Sequence, residues 1–172
     1  MQEAKLEPDV ISYSAGTSAC EKGGQWQRAL ALLSEMREAK LKPNVISYNA
    51  GVSACEKNGQ WRSALALLSE MWQAKLEPDV ISYSAGISAC EKGEQWQRAL
   101  ALLCVMRGAK LEPNGFTPVG YNAGISACEK GGQWQPALSL LSGMRAAALE
   151  PDVISTALES APARKASSGS GR

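Results

Sequence analysis

The sequence contains no histidine, the residue most often used as a general base, a metal ligand or a pH switch. Aromatic residues make up only 6% of the 172 residues, with a single phenylalanine. The net charge of +1 at pH 7 lacks the basic excess that attracts nucleic acid through charge alone. No apolar run approaches the roughly 18 residues needed to cross a bilayer. We therefore expect neither a histidine-based active site nor a contact with a membrane.

A ten-residue sequence motif recurs along the chain. EPDVISYSAG stands at 7–16 and at 77–86, and KPNVISYNAG at 42–51. Alignment on its tyrosine gives a period of 35 residues, broken by a three-residue insertion at 115–117. We number the full units 10–44, 45–79, 80–114 and 118–152 as repeats 1 to 4. Partial units at 1–9 and 153–160 resemble the tail and the head of further repeats, so we expect a longer array.

Each repeat contains two helical patterns joined by a Gly-rich turn. In the first helix of repeat 1, one face is formed by Ile11, Ser14, Ser18 and Lys22, and the opposite, apolar face by Tyr13, Gly16, Thr17 and Cys20. The second helix has an apolar stripe that begins with a tryptophan, which we predict to be a core residue. One such hairpin cannot bury its stripe alone, so the pattern predicts an all-α fold of stacked helix-turn-helix repeats.

The cysteines and carboxylates do not form a recognisable catalytic or metal site. Four of the five cysteines occupy the same place in successive repeats, without a C-x-x-C pair. Neighbouring helices lie roughly 8–10 Å apart, too far for disulfides, whose Cα atoms need about 4.4–6.8 Å. These cysteines are predicted to be small buried residues in a reducing compartment. We expect no enzymatic activity, no metal and no cofactor.

The period and its recurring residues resemble the pentatricopeptide repeat family. The resemblance rests on the stretches VISYNAGVSACEKNGQW and ALALLSEM and the closing KLEPD, and it covers residues 1–160. Tetratricopeptide repeats fit less well, because their period is 34 and they lack the Pro-Asp/Asn ending. The resemblance implies a right-handed α-α superhelix, or α-solenoid, whose first helices bind single-stranded RNA at one nucleotide per repeat.

A departure from the family lies in the middle of each first helix. Glycine stands there in all four repeats, where the family usually has a large aliphatic residue: Gly16, Gly51, Gly86 and Gly124. Each glycine costs about 1 kcal/mol relative to alanine. We therefore predict that a neighbouring helix packs closely against these positions.

Base selection, by the same resemblance, falls to the residue after the tyrosine together with the residue after the closing proline. Serine with asparagine implies adenine, and asparagine with aspartate implies uracil. The predicted preference is therefore A-U-A-U from 5′ to 3′. The four pairs are Ser14 with Asn44, Asn49 with Asp79, Ser84 with Asn114, and Asn122 with Asp152.

The resemblance assigns two further sets of residues. One aliphatic side chain per repeat is expected to clamp the bases, namely Ile11, Ile46, Ile81 and Val119. One lysine per repeat is expected to neutralise phosphates, namely Lys22, Lys57, Lys92 and Lys130.

Structural interpretations of the same residues remain open. Asparagine and aspartate are good helix N-caps, the residues after the tyrosines can be solvated surface, and every lysine follows a glutamate. The alternative function is an α-solenoid scaffold for protein partners that does not select bases. The near-neutral charge favours the scaffold, whereas the joint alternation of the two variable positions favours RNA.

The remaining expectations concern the chain's ends and its location. Residues 161–172 are rich in Pro, Gly, Ser and Ala and are predicted to be disordered. Residues 1–9 contain no signal or transit pattern. By resemblance we expect a role in RNA processing, stability or translation in a plastid or mitochondrion. Uncapped apolar ends also predict head-to-tail self-association.

Overall fold

The computed structural model describes residues 8–109 and 117–146. These residues form eight helices and, within those two ranges, no strand. The helices are α1 (Val10–Lys22), α2 (Trp26–Glu38), α3 (Val45–Lys57), α4 (Trp61–Gln73), α5 (Val80–Lys92), α6 (Trp96–Gly108), α7 (Thr117–Lys130) and α8 (Trp134–Ala146). The all-α solenoid of stacked hairpins is confirmed. Helix α7 begins at the last inserted residue, and the units predicted at 153–160 and 161–172 lie outside the described residues.

The first helices of repeats 1 to 3 begin at polar caps. The residue after each closing proline is extended, and its side-chain oxygen accepts the backbone N–H three residues later. These cap bonds are Ser12 to Asp9 (2.8 Å), Ser47 to Asn44 (2.9 Å) and Ser82 to Asp79 (2.8 Å). The capping interpretation is thus correct for these residues.

The turn between the two helices of a repeat requires a left-handed residue. Glycine fills that position at Gly24, Gly59 and Gly132, with φ between 64° and 66°. Glu94 adopts the same conformation in repeat 3, with φ of 58°. A side chain in this region is strained, which explains why glycine occupies the other three turns.

The four first helices pack side by side in chain order, and they form the inner row of the solenoid. Each second helix packs on its own first helix and, in repeats 1 to 3, on the first helix of the next repeat. The core between repeats 3 and 4 includes the fully buried Ile87, Cys90, Leu103 and Ile125. The predicted apolar face of the first helix therefore faces the second helices, and the opposite face is left for a ligand.

The mid-helix glycines confirm the predicted close packing. A Cβ atom on Gly51 would lie 2.7 Å from Leu33 Cδ1 and 3.1 Å from Leu67 Cδ1. On Gly86 it would lie 2.7 Å from Leu68 Cδ1. Leucines from two second helices thus occupy the volume that a larger residue would need.

Trp61 and Trp96 pack against the core at its edge, whereas Trp134 is 62% exposed and differs from the prediction of a core residue. Trp61 and Trp96 are half-buried at the edge between repeats, and each ring packs against the turn of the following repeat. A Cβ atom on Gly93 would overlap the Trp61 ring, and one on Gly131 would overlap the Trp96 ring. The tryptophans therefore bind one repeat to the next, which a helical period alone does not reveal.

Candidate functional site

A row of apolar side chains is exposed on the first helices, at the second position of the repeat. Their exposed fractions are 76% for Ile11, 66% for Ile46, 51% for Ile81 and 48% for Val119. Because adjacent first helices are packed together, these side chains form one line along the array. They are the residues expected to clamp bases, and the structure leaves them open to a ligand.

Repeat 2 brings its two predicted base-selecting residues into direct contact. Asn49 Nδ2 lies 3.2 Å from both carboxylate oxygens of Asp79 and donates to them. Asp79 also caps α5, so its carboxylate is held in place by the backbone of the next repeat. The hydroxyl of Ser82 contacts the amide oxygen of Asn49. Three side chains from two repeats therefore form one connected polar network between α3, which carries Ile46, and α5, which carries Ile81.

Repeat 1 arranges its pair differently. Ser14 is 9% exposed and donates its hydroxyl proton to the carbonyl oxygen of Val10, at 2.7 Å. Asn44 Oδ1 accepts from the backbone N–H and the hydroxyl of Ser47, both at 2.9 Å. Ser14 is therefore buried, which differs from the solvated surface that we considered as an alternative.

The pairs of repeats 3 and 4 are only half described. Ser84 is 6% exposed, and its hydroxyl oxygen has no hydrogen-bond partner within the described ranges. Its predicted partner Asn114 lies outside these ranges, as does Asp152, the partner of the half-buried Asn122. Both pairings remain predictions.

The predicted phosphate-contacting lysines form ion pairs between repeats. Each of three lysines binds the glutamate one residue before the equivalent lysine of the preceding repeat. The Nζ–Oε1 distances are 2.9 Å for Lys57–Glu21, 2.6 Å for Lys92–Glu56 and 2.9 Å for Lys130–Glu91. We call this set the Glu–Lys ladder. The lysines are more than 40% exposed and remain accessible to an anion, but the paired glutamates reduce the local positive charge.

Two serines on the same face extend this ladder. Ser53 donates to Glu21 Oε1 at 3.1 Å, and Ser126 donates to Glu91 Oε1 at 2.9 Å. Sequence reasoning placed glutamate and lysine together on one mixed face but missed that they pair across repeats. The sequence contains a signal for this pairing, because each glutamate is followed, one period plus one residue later, by the lysine that it binds.

The cysteines are free thiols in the described ranges, as predicted. Cys55, Cys90 and Cys128 are fully buried between helices. Burial raises the pKa of Cys55 and of Cys90 to about 11, since an apolar environment disfavours the thiolate. Cys104 on α6 is exposed. Among residues 8–109 and 117–146, no group of three or more Cys, Asp or Glu is arranged to hold a metal ion.

The outer face, formed by the second helices, carries a different local feature. Arg37 Nη1 and Glu70 Oε2 form an ion pair of 2.6 Å between α2 and α4. The equivalent positions one repeat later hold Trp72 and Val105, and both side chains are exposed. No helix in the described part of the chain is long and apolar enough to cross a membrane.

Two family models match this chain. The model described as "PPR repeat family" matches residues 43–92, and "Pentatricopeptide repeat domain" matches residues 1–58. Together they cover residues 1–92. The chain belongs to the pentatricopeptide repeat family. Among curated protein sequences, none matches it significantly.

Solved structures of pentatricopeptide repeat proteins share the fold. PPR10 in complex with an 18-nt psaJ RNA element is 28% identical, with a TM-score of 0.75, over 91% of this chain and 22% of that one. PPR10 from maize is 29% identical, with a TM-score of 0.63, over 90% and 22%. The domain of Arabidopsis thaliana protein-only RNase P 1, in complex with tRNA, is 17% identical, with a TM-score of 0.74, over 84% and 75%. This chain therefore spans about a fifth of the length of PPR10.

Proposed function

We propose that this chain binds single-stranded RNA along its first helices, at one nucleotide per repeat, with the preference A-U-A-U. The observation that carries the proposal is the polar network of repeat 2, which joins the two helices that carry the exposed Ile46 and Ile81. A base inserted there can contact apolar groups on its faces and hydrogen-bonding groups on its edge, as unpaired bases in RNA complexes do. PPR10, which shares the family and fold, was solved in complex with RNA.

The network of repeat 2 complements uracil. Asn49 uses one amide hydrogen on Asp79 and has a second to donate. Asp79 Oδ2 accepts from Asn49 and keeps further acceptor capacity. The pairing edge of uracil presents carbonyl acceptors beside an N–H donor, whereas cytosine presents a bare ring nitrogen. A donor next to an acceptor therefore supports uracil at the second position.

Repeat 1 complements adenine. Since Ser14 donates its single proton to Val10, the hydroxyl offers only acceptor lone pairs to a base. Asn44 accepts through Oδ1 at the helix cap, which directs its Nδ2 group toward the surface as a donor. The pairing edge of adenine has an amino donor next to a ring-nitrogen acceptor, which supports adenine at the first position.

The decisive experiment measures binding at low salt by fluorescence anisotropy. AUAU in a neutral flanking sequence should bind more tightly than ACAC or GUGU, by about tenfold for each base discriminated through two hydrogen bonds. Binding should weaken as salt rises, because phosphate contacts release counterions. The scaffold alternative predicts equal binding to all three oligonucleotides, or none, and that result would refute the proposal.

A pair of exchanges provides matched controls. N49S together with D79N should move the second preference from uracil to adenine. S14N together with N44D should move the first preference from adenine to uracil. Asn and Asp both cap helices, so neither exchange removes a cap, and circular dichroism should be unchanged.

The process and location are proposals as well. We propose that the full-length protein acts in organellar RNA processing, stability or translation, by occupying a site or by recruiting other factors. Fractionation of plastids and mitochondria, with sequencing of the RNA bound to the protein, would test this.

A further inference from the structure

Ser82 makes a contact that its counterpart one repeat earlier, Ser47, does not make. Both Ser82 and Ser47 hold the third position of a first helix and complete a capping box. Their hydroxyls accept the cap backbone N–H, at 3.2 Å from Asp79 and 2.9 Å from Asn44. Only Ser82 reaches the preceding repeat, because its Oγ lies 2.5 Å from Asn49 Oδ1.

This contact holds the oxygen end of an amide whose nitrogen end is held by Asp79. Exchange of the oxygen and nitrogen of Asn49 would change which group meets a base. Ser82 Oγ is closer to Asn49 Oδ1 than to Asp79 Oδ1, which lies 2.9 Å away, so its single proton points to Asn49. Asp79 holds the Nδ2 end. In the exchanged orientation the amide oxygen would face the carboxylate, which is repulsive.

The amide orientation decides which pyrimidine is favoured. With Oδ1 held by Ser82, Asn49 offers an N–H to the base, and this donor suits a carbonyl of uracil. An amide held only by Asp79 can exchange its ends more often and then offers its oxygen, which suits the amino group of cytosine. We infer that Ser82 is a positioning residue for base selection by repeat 2. It acts across the repeat boundary, keeps Asn49 as a donor, and favours uracil over cytosine.

The fourth repeat supplies an internal contrast. Its third position is Gly120, which has no hydroxyl, and a Cβ atom there would lie 3.7 Å from Ser84 Oγ. The Ser84 oxygen is buried and lacks a partner within the described ranges. In both cases the third residue of a repeat lies next to the predicted base-selecting residue of the preceding repeat. Ser82 forms a hydrogen bond with Asn49, whereas Gly120 has no side chain with which to bond to Ser84.

The test compares two serine-to-alanine variants that lose the same cap. S82A and S47A should each lower thermal stability by a similar amount, since each loses one capping-box hydroxyl. Binding of AUAU and ACAU, which differ only at the second base, is then measured. S82A should lose about fivefold in the AUAU:ACAU ratio, the effect of one hydrogen bond, whereas S47A should keep the ratio of the parent. S82G, which copies the residue at Gly120, should behave like S82A.

The inference rests on the proposed function, and the outcomes separate the two. A parent chain that binds AUAU and ACAU equally would refute both the proposed function and the inference. A parent that prefers AUAU, with the same ratio in S82A, would refute the inference alone. An equal decrease of the AUAU:ACAU binding ratio in S82A and S47A would show that the decrease comes from the loss of the helix cap. That result would also overturn the inference.

Discussion

Substitution of Gly51 by alanine should destabilise the protein, although alanine is the better helix former. Removing a mid-helix glycine stabilises a helix by about 1 kcal/mol. Here, however, the new Cβ would lie 2.7 Å from Leu33 Cδ1 and 3.1 Å from Leu67 Cδ1, and both leucines are buried. Overpacking of a core costs about 1–3 kcal/mol. With the middle of that range, the net loss is about 1 kcal/mol.

Gly16 offers the matched control, because it holds the equivalent position in repeat 1. Its new Cβ would lie 3.3 Å from Leu32 Cδ1, and Leu32 is only partly buried, so it has room to shift. G16A should therefore stabilise the protein, by up to about 1 kcal/mol. The same glycine-to-alanine substitution is thus predicted to lower the stability of the protein at one position and to raise it at the equivalent position of another repeat.

Thermal unfolding followed by circular dichroism distinguishes the two variants. For a chain of this size, about 1 kcal/mol corresponds to roughly 2–4 °C, so Tm should fall in G51A and rise in G16A. In the double variant G51A with L33A, the loss of stability should be smaller than the sum of the losses in the two single variants, since the two sites share the contact. A rise in Tm for both single variants would show that Leu33 moves freely and would refute the packing argument.

Two further predictions concern thiols and the ladder. Thiol labelling at pH 8 should modify the exposed Cys104 first, while Cys55 and Cys90 react only after denaturation. Burial raises the folded pKa of these two thiols from 9.0 to about 11, so their contribution to stability is complete below pH 9. The free energy of unfolding should therefore fall as the pH rises from 9 to 11. An unchanged free energy of unfolding over this range would contradict the burial of the thiols. E56Q removes the negative charge that pairs with Lys92, so RNA binding at low salt should tighten by about two- to threefold. The free energy of unfolding should change by less than about 1 kcal/mol, because the ion pair is partly exposed. Unchanged RNA binding would show that Lys92 does not contact phosphate.

Much of the fold could be predicted from the sequence because the relevant signals are local. The 3.6-residue spacing, the Asp and Asn caps and the turn glycines each act within a few residues, and the helices begin and end close to them. Trp61 and Trp96 pack against the core, as predicted, but the half-buried place of each ring depends on the following repeat. A periodic stripe tells which face is apolar, but not whether a ring packs inside a hairpin or against the next turn.

The candidate site was predictable in part for the same reason. The exposed aliphatic row and the contact between Asn49 and Asp79 agree with the residues chosen by resemblance. Two features depend on side chains that meet across a repeat boundary, and no pattern within one repeat encodes them. They are the pairing of the lysines and the contact of Ser82 with Asn49.

The contacts between repeats have a consequence for how such a chain can grow. Each repeat carries a glutamate for the repeat that follows and a lysine for the one before it, as Glu56 and Lys57 do in repeat 2. Its tryptophan likewise serves the following turn. A copied 35-residue segment therefore contains both the lysine that pairs with the preceding repeat and the glutamate that pairs with the following repeat. Duplication of the coding segment can thus lengthen the array without compensating changes at the new junctions.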